Sequence, residues 1–222
     1  MSINSFKKLL AIDPSLTSTG WVLFDLQTGT IRQFGILNDP GPKIVLARRL
    51  AILQQEIEAL LSAVELQAGD VLVCEGPAHL VLNPQSALKV EHVRGMFEVL
   101  ARKRGVDVPG RVNPRIIHTE ILGLKGKQVK RAEVKKIARS VAERLFVKEF
   151  ANNQNNKLNS RRKVLSQDII DAALIGAFCI TQIDLCQKLK IDLAEAFHEG
   201  RRSFKKSHST LRWRECDVVK LG

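Results

Sequence analysis

The chain has 222 residues, enough for one domain of ordinary size with extensions. It carries 35 Lys+Arg against 23 Asp+Glu, a formal net charge of +12, which predicts salt-sensitive binding to a polyanion unless the charge is only solvated surface. No run approaches the roughly 18 uninterrupted apolar residues of a membrane span, and Met1 to Lys8 lacks a signal-peptide core. Cys74, Cys179, Cys186 and Cys216 form no CxxC pair and no zinc spacing; they read as small hydrophobes in a reducing compartment.

In chain order, Leu9–Asp13 reads as a strand, followed by the turn Pro14 to Gly20. Trp21–Asp25 and Ile31–Leu37 read as two more strands, joined by the tight turn Gln27-Thr28-Gly29-Thr30. Ile44 to Glu65 predicts a helix, with Leu46, Leu50, Leu53, Ile57, Leu60, Leu61 and Val64 on one face. Val71–Glu75 is apolar on both faces, as a covered central strand is. Asn83-Pro84 starts a helix to about Arg104. Val106 to Val112 reads as a short strand interrupted by Pro109-Gly110, and Asn113-Pro114 begins a further helical piece. Gly123 to Lys130 is a basic loop, Arg131 to Phe150 an amphipathic helix, and Asn152 to Lys163 a polar, mobile stretch. Ser166 caps a last core helix that holds Ile169 to Ile180. Hairpin strands followed by alternating helices and strands give an α/β domain: a mixed five-stranded sheet flanked by helices.

Four acids stand out in this pattern. Asp13 ends Leu9-Leu10-Ala11-Ile12, Glu75 ends Val71-Leu72-Val73-Cys74, and Asp168 and Asp171 open the last core helix. An acid at the tip of a buried strand is costly unless it is paired or binds a metal. The spacing of Asp168 and Asp171 puts both on one helix side. Three apolar segments presenting acids therefore suggest one hard-cation site, with carboxylate oxygens as ligands. Asp168, beside Ser166 at a helix start, also has a reading as a helix-end residue.

Four stretches together resemble the RuvC family of Holliday-junction resolvases, of the ribonuclease H type. They are Ala11-Ile12-Asp13-Pro14-Ser15-Leu16-Thr17-Ser18-Thr19-Gly20-Trp21; Val73-Cys74-Glu75 with Ser86 to Val90 and Arg94-Gly95; Asn113-Pro114 with the basic loop to Lys130; and Asp168 to Leu174. The first stretch is closest to phage-type members. The resemblance implies a ribonuclease H-like nuclease domain over residues 1–184 and a basic extension over 185–222. It implies two Mg²⁺ ions per active site, with Mn²⁺ as a substitute, held by Asp13, Glu75, Asp168 and Asp171. It implies that one loop lysine, Lys130 in preference to Lys127, acts in catalysis beside the scissile phosphate, and that Lys125, Lys127 and Arg131 contact DNA.

Residues 121–163 hold thirteen Lys/Arg against three acids, so Arg161, Arg162 and Lys163 are further DNA-binding candidates. Bacterial members carry a wedge aromatic after the second acid. Here His79 is the nearest candidate, either stacking on a base or serving as a polar loop residue. After Glu199 come seven Lys/Arg with Phe204 and Trp213 interleaved: a DNA-gripping arm, a docking segment or a partly disordered tail. The resemblance implies a homodimer, a four-way DNA junction as partner, no membrane, and a bacterial or phage-infected cytoplasm. Val90, Val93, Met96, Phe97 and Leu100 supply an apolar face either for that two-fold dimer or for packing on the sheet. Two other readings stay open: a ribonuclease H-fold nuclease for other branched DNA or RNA–DNA hybrids, and an actin/Hsp70-like nucleotide-binding module.

Overall fold

The computed structural model describes residues 6–77, 84–124, 129–154 and 165–197. Five strands form one sheet: β1 (Lys8–Asp13), β2 (Ser18–Asp25), β3 (Ile31–Asn38), β4 (Val71–Glu75) and β5 (Arg111–Val112). Their order is β3-β2-β1-β4-β5. The first three strands form an antiparallel meander, and β4 and β5 run parallel to β1. This is the mixed sheet expected of hairpin-joined strands followed by strand–helix alternation.

The helices are α1 (Leu46–Ala63), α2 (Pro84–Lys103), α3 (Pro114–Ile116) running into a π-helical turn (Ile117–Ile121), α4 (Arg131–Leu145), α5 (Val147–Gln154), α6 (Gln167–Leu189) and α7 (Leu193–Ala196). Strand alternation sends Leu9, Ala11, Val22, Phe24, Val71 and Val73 to a core shared with α4, α5 and α6. Leu10, Ile12, Leu23, Leu72 and Cys74 point to the other face, against α1 and α2. Both central strands are thus covered on both sides, which is why their sequences are continuous apolar runs.

The centre of the fold is α6. It is long and apolar enough, by length and composition, to cross a membrane. Here its apolar residues are spent on the sheet: Ile170, Ala172, Ala173, Leu174, Ile175 and Cys179 are all but fully buried. Gly176 lets the helix approach closely, since a Cβ there would lie 2.0 Å from the Phe24 ring.

Several expectations are corrected. The single helix expected over Arg131 to Phe150 is two, broken at Phe146 (φ −123°, ψ 38°). The break turns Phe146 and Phe150 into the core, where Phe146 meets Phe24 with ring centroids 5.6 Å apart and Phe150 meets Phe34 edge-on at 5.4 Å. The strand expected over Val106 to Val112 is reduced to Arg111–Val112 and a single bridge from Asp107 to Val71. Pro109-Gly110 interrupts it, and Phe197 sits against Gly110 where a Cβ would stand at 2.8 Å. On α2, Val93, Phe97 and Leu100 pack inward, leaving Leu88 and Val99 as its exposed large apolar residues. Beyond these elements, α6 runs on to Leu189, and Leu193 and Phe197 are buried.

Candidate active site

β1 and β4 are parallel neighbours with Ile12 opposite Cys74. The next residue of each strand is therefore an acid, and Asp13 and Glu75 emerge side by side at the carboxyl ends of the two central strands. That is where α/β sheets place their ligands. The register pairs Asp13 with Gly20 of β2 on its other side. Gly20 in turn carries the start of α6: a Cβ there would lie 2.1 Å from the Asp168 carbonyl oxygen. A side chain at residue 20 would push the helix, with Asp168 and Asp171, away from Asp13.

Ser166 caps α6, its hydroxyl accepting from the Asp168 amide at 3.3 Å. Asp168 Oδ2 accepts from the Ser166 hydroxyl at 3.0 Å and from the Ser18 hydroxyl at 2.6 Å. Asp171 Oδ1 accepts from Gln167 Nε2 at 2.9 Å.

The four acids form one electrostatic group. Burial raises the Asp13 carboxyl well above the usual range, and the charges of Glu75, Asp171 and Asp168 add to the rise. Glu75 is pushed up to about 7 by burial and then by Asp171, against the opposing charge of Arg94 and a hydrogen bond from Asp13. Both carboxyls therefore hold protons more tightly than free acids do. Burial also raises Asp171; Gln167 opposes this, Asp168 adds to it, and Lys135 and Arg139 draw it back. As placed, no three His, Cys, Asp or Glu side chains among the described residues stand together as a ready-made metal cage. The donor set nonetheless fits a hard divalent cation: carboxylates only, partly buried, mutually repelling, with neither thiolate nor imidazole in the group.

Among the described residues, the cations acting on this group include several that were not singled out from the sequence. Lys130 is the exposed N-cap residue of α4, its carbonyl accepting from the Glu133 and Val134 amides at 2.9 and 3.0 Å. Arg131 is exposed at the first position of α4. Lys135 and Arg139, further along α4, act on Asp171 through their charge. Their i, i+4 spacing beside the buried Ala138 and Ala142, small residues that let α4 approach α6, was the available signal.

Arg94 was also missed as a site residue. It is buried on α2, and its Nε donates to the Glu75 carbonyl at 2.6 Å. It also pairs with Glu91, which pairs with Arg111 at 2.6 Å; Arg111 chelates Glu98 through bonds of 2.6 and 3.0 Å. This chain of charges ties α2 and β5 to the end of β4, and the spacing of Glu91, Arg94 and Glu98 is its sequence trace. His79, Lys125, Lys127, Arg161, Arg162 and Lys163 lie outside the described residues, as do Phe204 and Trp213.

No family model matches the chain. Two curated relatives do. The crossover junction endodeoxyribonuclease RuvC of Paramagnetospirillum magneticum is 27% identical over 118 residues, which is 52% of this chain and 68% of the relative. The protein of the same name from Zymomonas mobilis is 27% identical over 117 residues, 51% of this chain and 66% of the relative. Among solved structures, Thermus thermophilus RuvC superposes with a TM-score of 0.55 at 15% identity, covering 77% of this chain and 91% of that one. T. thermophilus RuvC in complex with a Holliday junction substrate gives 0.52 at 15% identity, with 77% and 90% covered. In sequence over about half of its length, and in fold over about three quarters, the chain is RuvC-like.

Proposed function

We propose that the protein is a divalent-metal-dependent endodeoxyribonuclease that resolves four-way DNA junctions by paired, symmetric nicks. The observation that carries this reading is the convergence of Asp13, Glu75, Asp168 and Asp171 at the carboxyl ends of β1 and β4. Asp13, coupled to the other three, would hold both ions. Glu75 would complete one shell, and Asp168 with Asp171 the other. Bound Mg²⁺ or Mn²⁺ would supply an activated water and a stabilised leaving oxygen.

The chain's own residues do the rest. Asp13 and Glu75, whose carboxyls burial raises, would give up protons as the site loads. Arg94 fixes the backbone of Glu75, so its carboxylate meets the site in one orientation. Lys135 and Arg139, beside Asp171, bind the substrate phosphates, with Lys130 and Arg131 extending that basic row. Phosphate binding at this row sets register on the duplex arm. The remaining Lys/Arg of residues 121–163 supply salt-sensitive affinity.

Paired nicking requires two sites related by two-fold symmetry. The outward face of α2 suits that role: Leu88, His92 and Val99 are exposed along one side of the helix. The setting is the cytoplasm of a bacterium or of a phage-infected host.

The nucleotide-binding alternative is disfavoured by the turn after β1. There the Ser15 amide donates to Thr19 Oγ1 at 3.0 Å and the Thr17 amide to Ser15 Oγ at 3.3 Å, so these amides are already engaged rather than offered to a phosphate. A panel of four-way junctions, flaps and RNA–DNA hybrids in Mg²⁺ tests the proposal. Preference for the junction supports it; equal or better cutting of hybrids replaces it with the broader nuclease reading.

A further inference from the structure

Asp168 is held from two sides. Its own helix cap supplies one hydroxyl, Ser166 Oγ at 3.0 Å. The second, shorter bond crosses between elements: Ser18 Oγ, at the first position of β2, donates to the same Oδ2 at 2.6 Å. Residues 18 and 20 lie on one face of β2, by the two-residue period of a strand. That face therefore meets residue 168 twice. Gly20 makes room for its backbone, and Ser18 grips its side chain. Both hydroxyls go to Oδ2, and among the described residues no hydrogen bond reaches Oδ1.

A carboxylate with one oxygen occupied by two donors and the other free is prepared to give one oxygen, in one direction, to a cation. A helix-end aspartate serving only its own helix would be satisfied by Ser166 and by the amides of its first turn. It would not need a donor 150 residues away. We propose that Ser18 is a positioning residue for the metal site: its hydroxyl holds Asp168 by Oδ2, so that Oδ1 would be left for a cation that Asp13 and Asp171 would also help to hold. This rests on the proposed metal-dependent reading. Hydrogen-bond partners behind a metal ligand typically govern affinity by about 10- to 100-fold.

The test measures Mn²⁺ binding to the DNA-free protein by electron paramagnetic resonance, for wild type, Ser18→Ala, Ser18→Thr and Asp168→Asn. Thermal melts in chelator check folding. Ser18→Ala should bind Mn²⁺ about 10-fold more weakly, with Ser18→Thr restoring affinity because it keeps the hydroxyl. The Mg²⁺ midpoint for junction cutting should rise in parallel for Ser18→Ala, and excess Mg²⁺ should recover most of the rate. Should Ser18→Ala fail to fold, Ser18→Cys, a weaker donor, is read instead, and intermediate affinity is expected. Wild-type Mn²⁺ affinity in a folded Ser18→Ala (or, if that fails to fold, Ser18→Cys) protein, with affinity lost in Asp168→Asn, overturns the role of Ser18 while leaving the metal site standing. Wild-type affinity in Asp168→Asn overturns both.

Discussion

Replacing Glu75 with Gln should stabilise the metal-free protein at neutral pH. The folded state holds the Glu75 proton up to about 7, whereas the unfolded chain releases it near the ordinary 4.5. Between those values the folded state binds more protons, so stability falls as pH rises from about 4.5 to about 7. Below that window both states are protonated and the site costs little; above it, the full penalty is present. The difference corresponds to on the order of 3 kcal/mol. For a chain of this size each kcal/mol moves Tm by roughly 2–4 °C, so Glu75→Gln should melt about 6–12 °C above wild type at pH 8 in chelator. The gap should close at pH 4. Adding Mg²⁺ should raise the wild-type Tm and leave the variant nearly unmoved. Thermal melts from pH 4 to 8, with and without Mg²⁺, read all of this. Parallel pH curves for the two proteins, or an equal Mg²⁺ response, would refute the view that Glu75 is an electrostatically strained metal ligand.

Asp13→Asn should abolish cleavage while junction binding, measured by gel shift without metal, stays near wild type, because phosphate contacts are separate from the acids. Arg94→Gln should cost on the order of 2–3 kcal/mol in denaturant unfolding. That is below the cost of breaking a fully enclosed pair, because Glu91 is partly exposed and relaxes into water. Deleting residues 200–222 removes seven Lys/Arg. It should weaken junction binding and flatten its salt dependence, while single-turnover cutting at saturating protein changes little. Loss of cutting at saturation, with a lower Tm, would show that the segment supports the fold instead.

The sheet was legible because its signals were strong and local. Apolar runs ending in Asp13 and Glu75, the Gln27–Thr30 turn and the Ser166 cap each dictate their structure with few neighbours. The acids were legible for the same reason, since a carboxylate closing a buried strand is costly unless a partner or a cation offsets its charge. What stayed hidden depends on partners distant in sequence. Phe146 breaks a helix whose spacing reads as continuous, because Phe24 and Phe34 offer ring contacts from the sheet. Val93, Phe97 and Leu100 looked as fit for a partner subunit as for the core; only the position of α1 decides between them. Arg94 bonds a backbone carbonyl 19 residues away, and Ser18 a carboxylate 150 residues away. Neither bond leaves a local pattern, although the Glu91, Arg94 and Glu98 spacing marks the charge chain to which Arg94 belongs. Lys135 and Arg139 look like ordinary solvated helix charges until α6 sets Asp171 beside them.

Cleavage of a mobile four-way junction labelled on each strand in turn, with Mg²⁺, by wild type and Asp13→Asn decides whether the protein is a paired-nicking resolvase. The wild type should nick symmetric positions in two opposed strands, dependent on Mg²⁺, and the variant should make no nicks. Unpaired nicks, cutting without a divalent cation, or undiminished cutting by Asp13→Asn would contradict that reading.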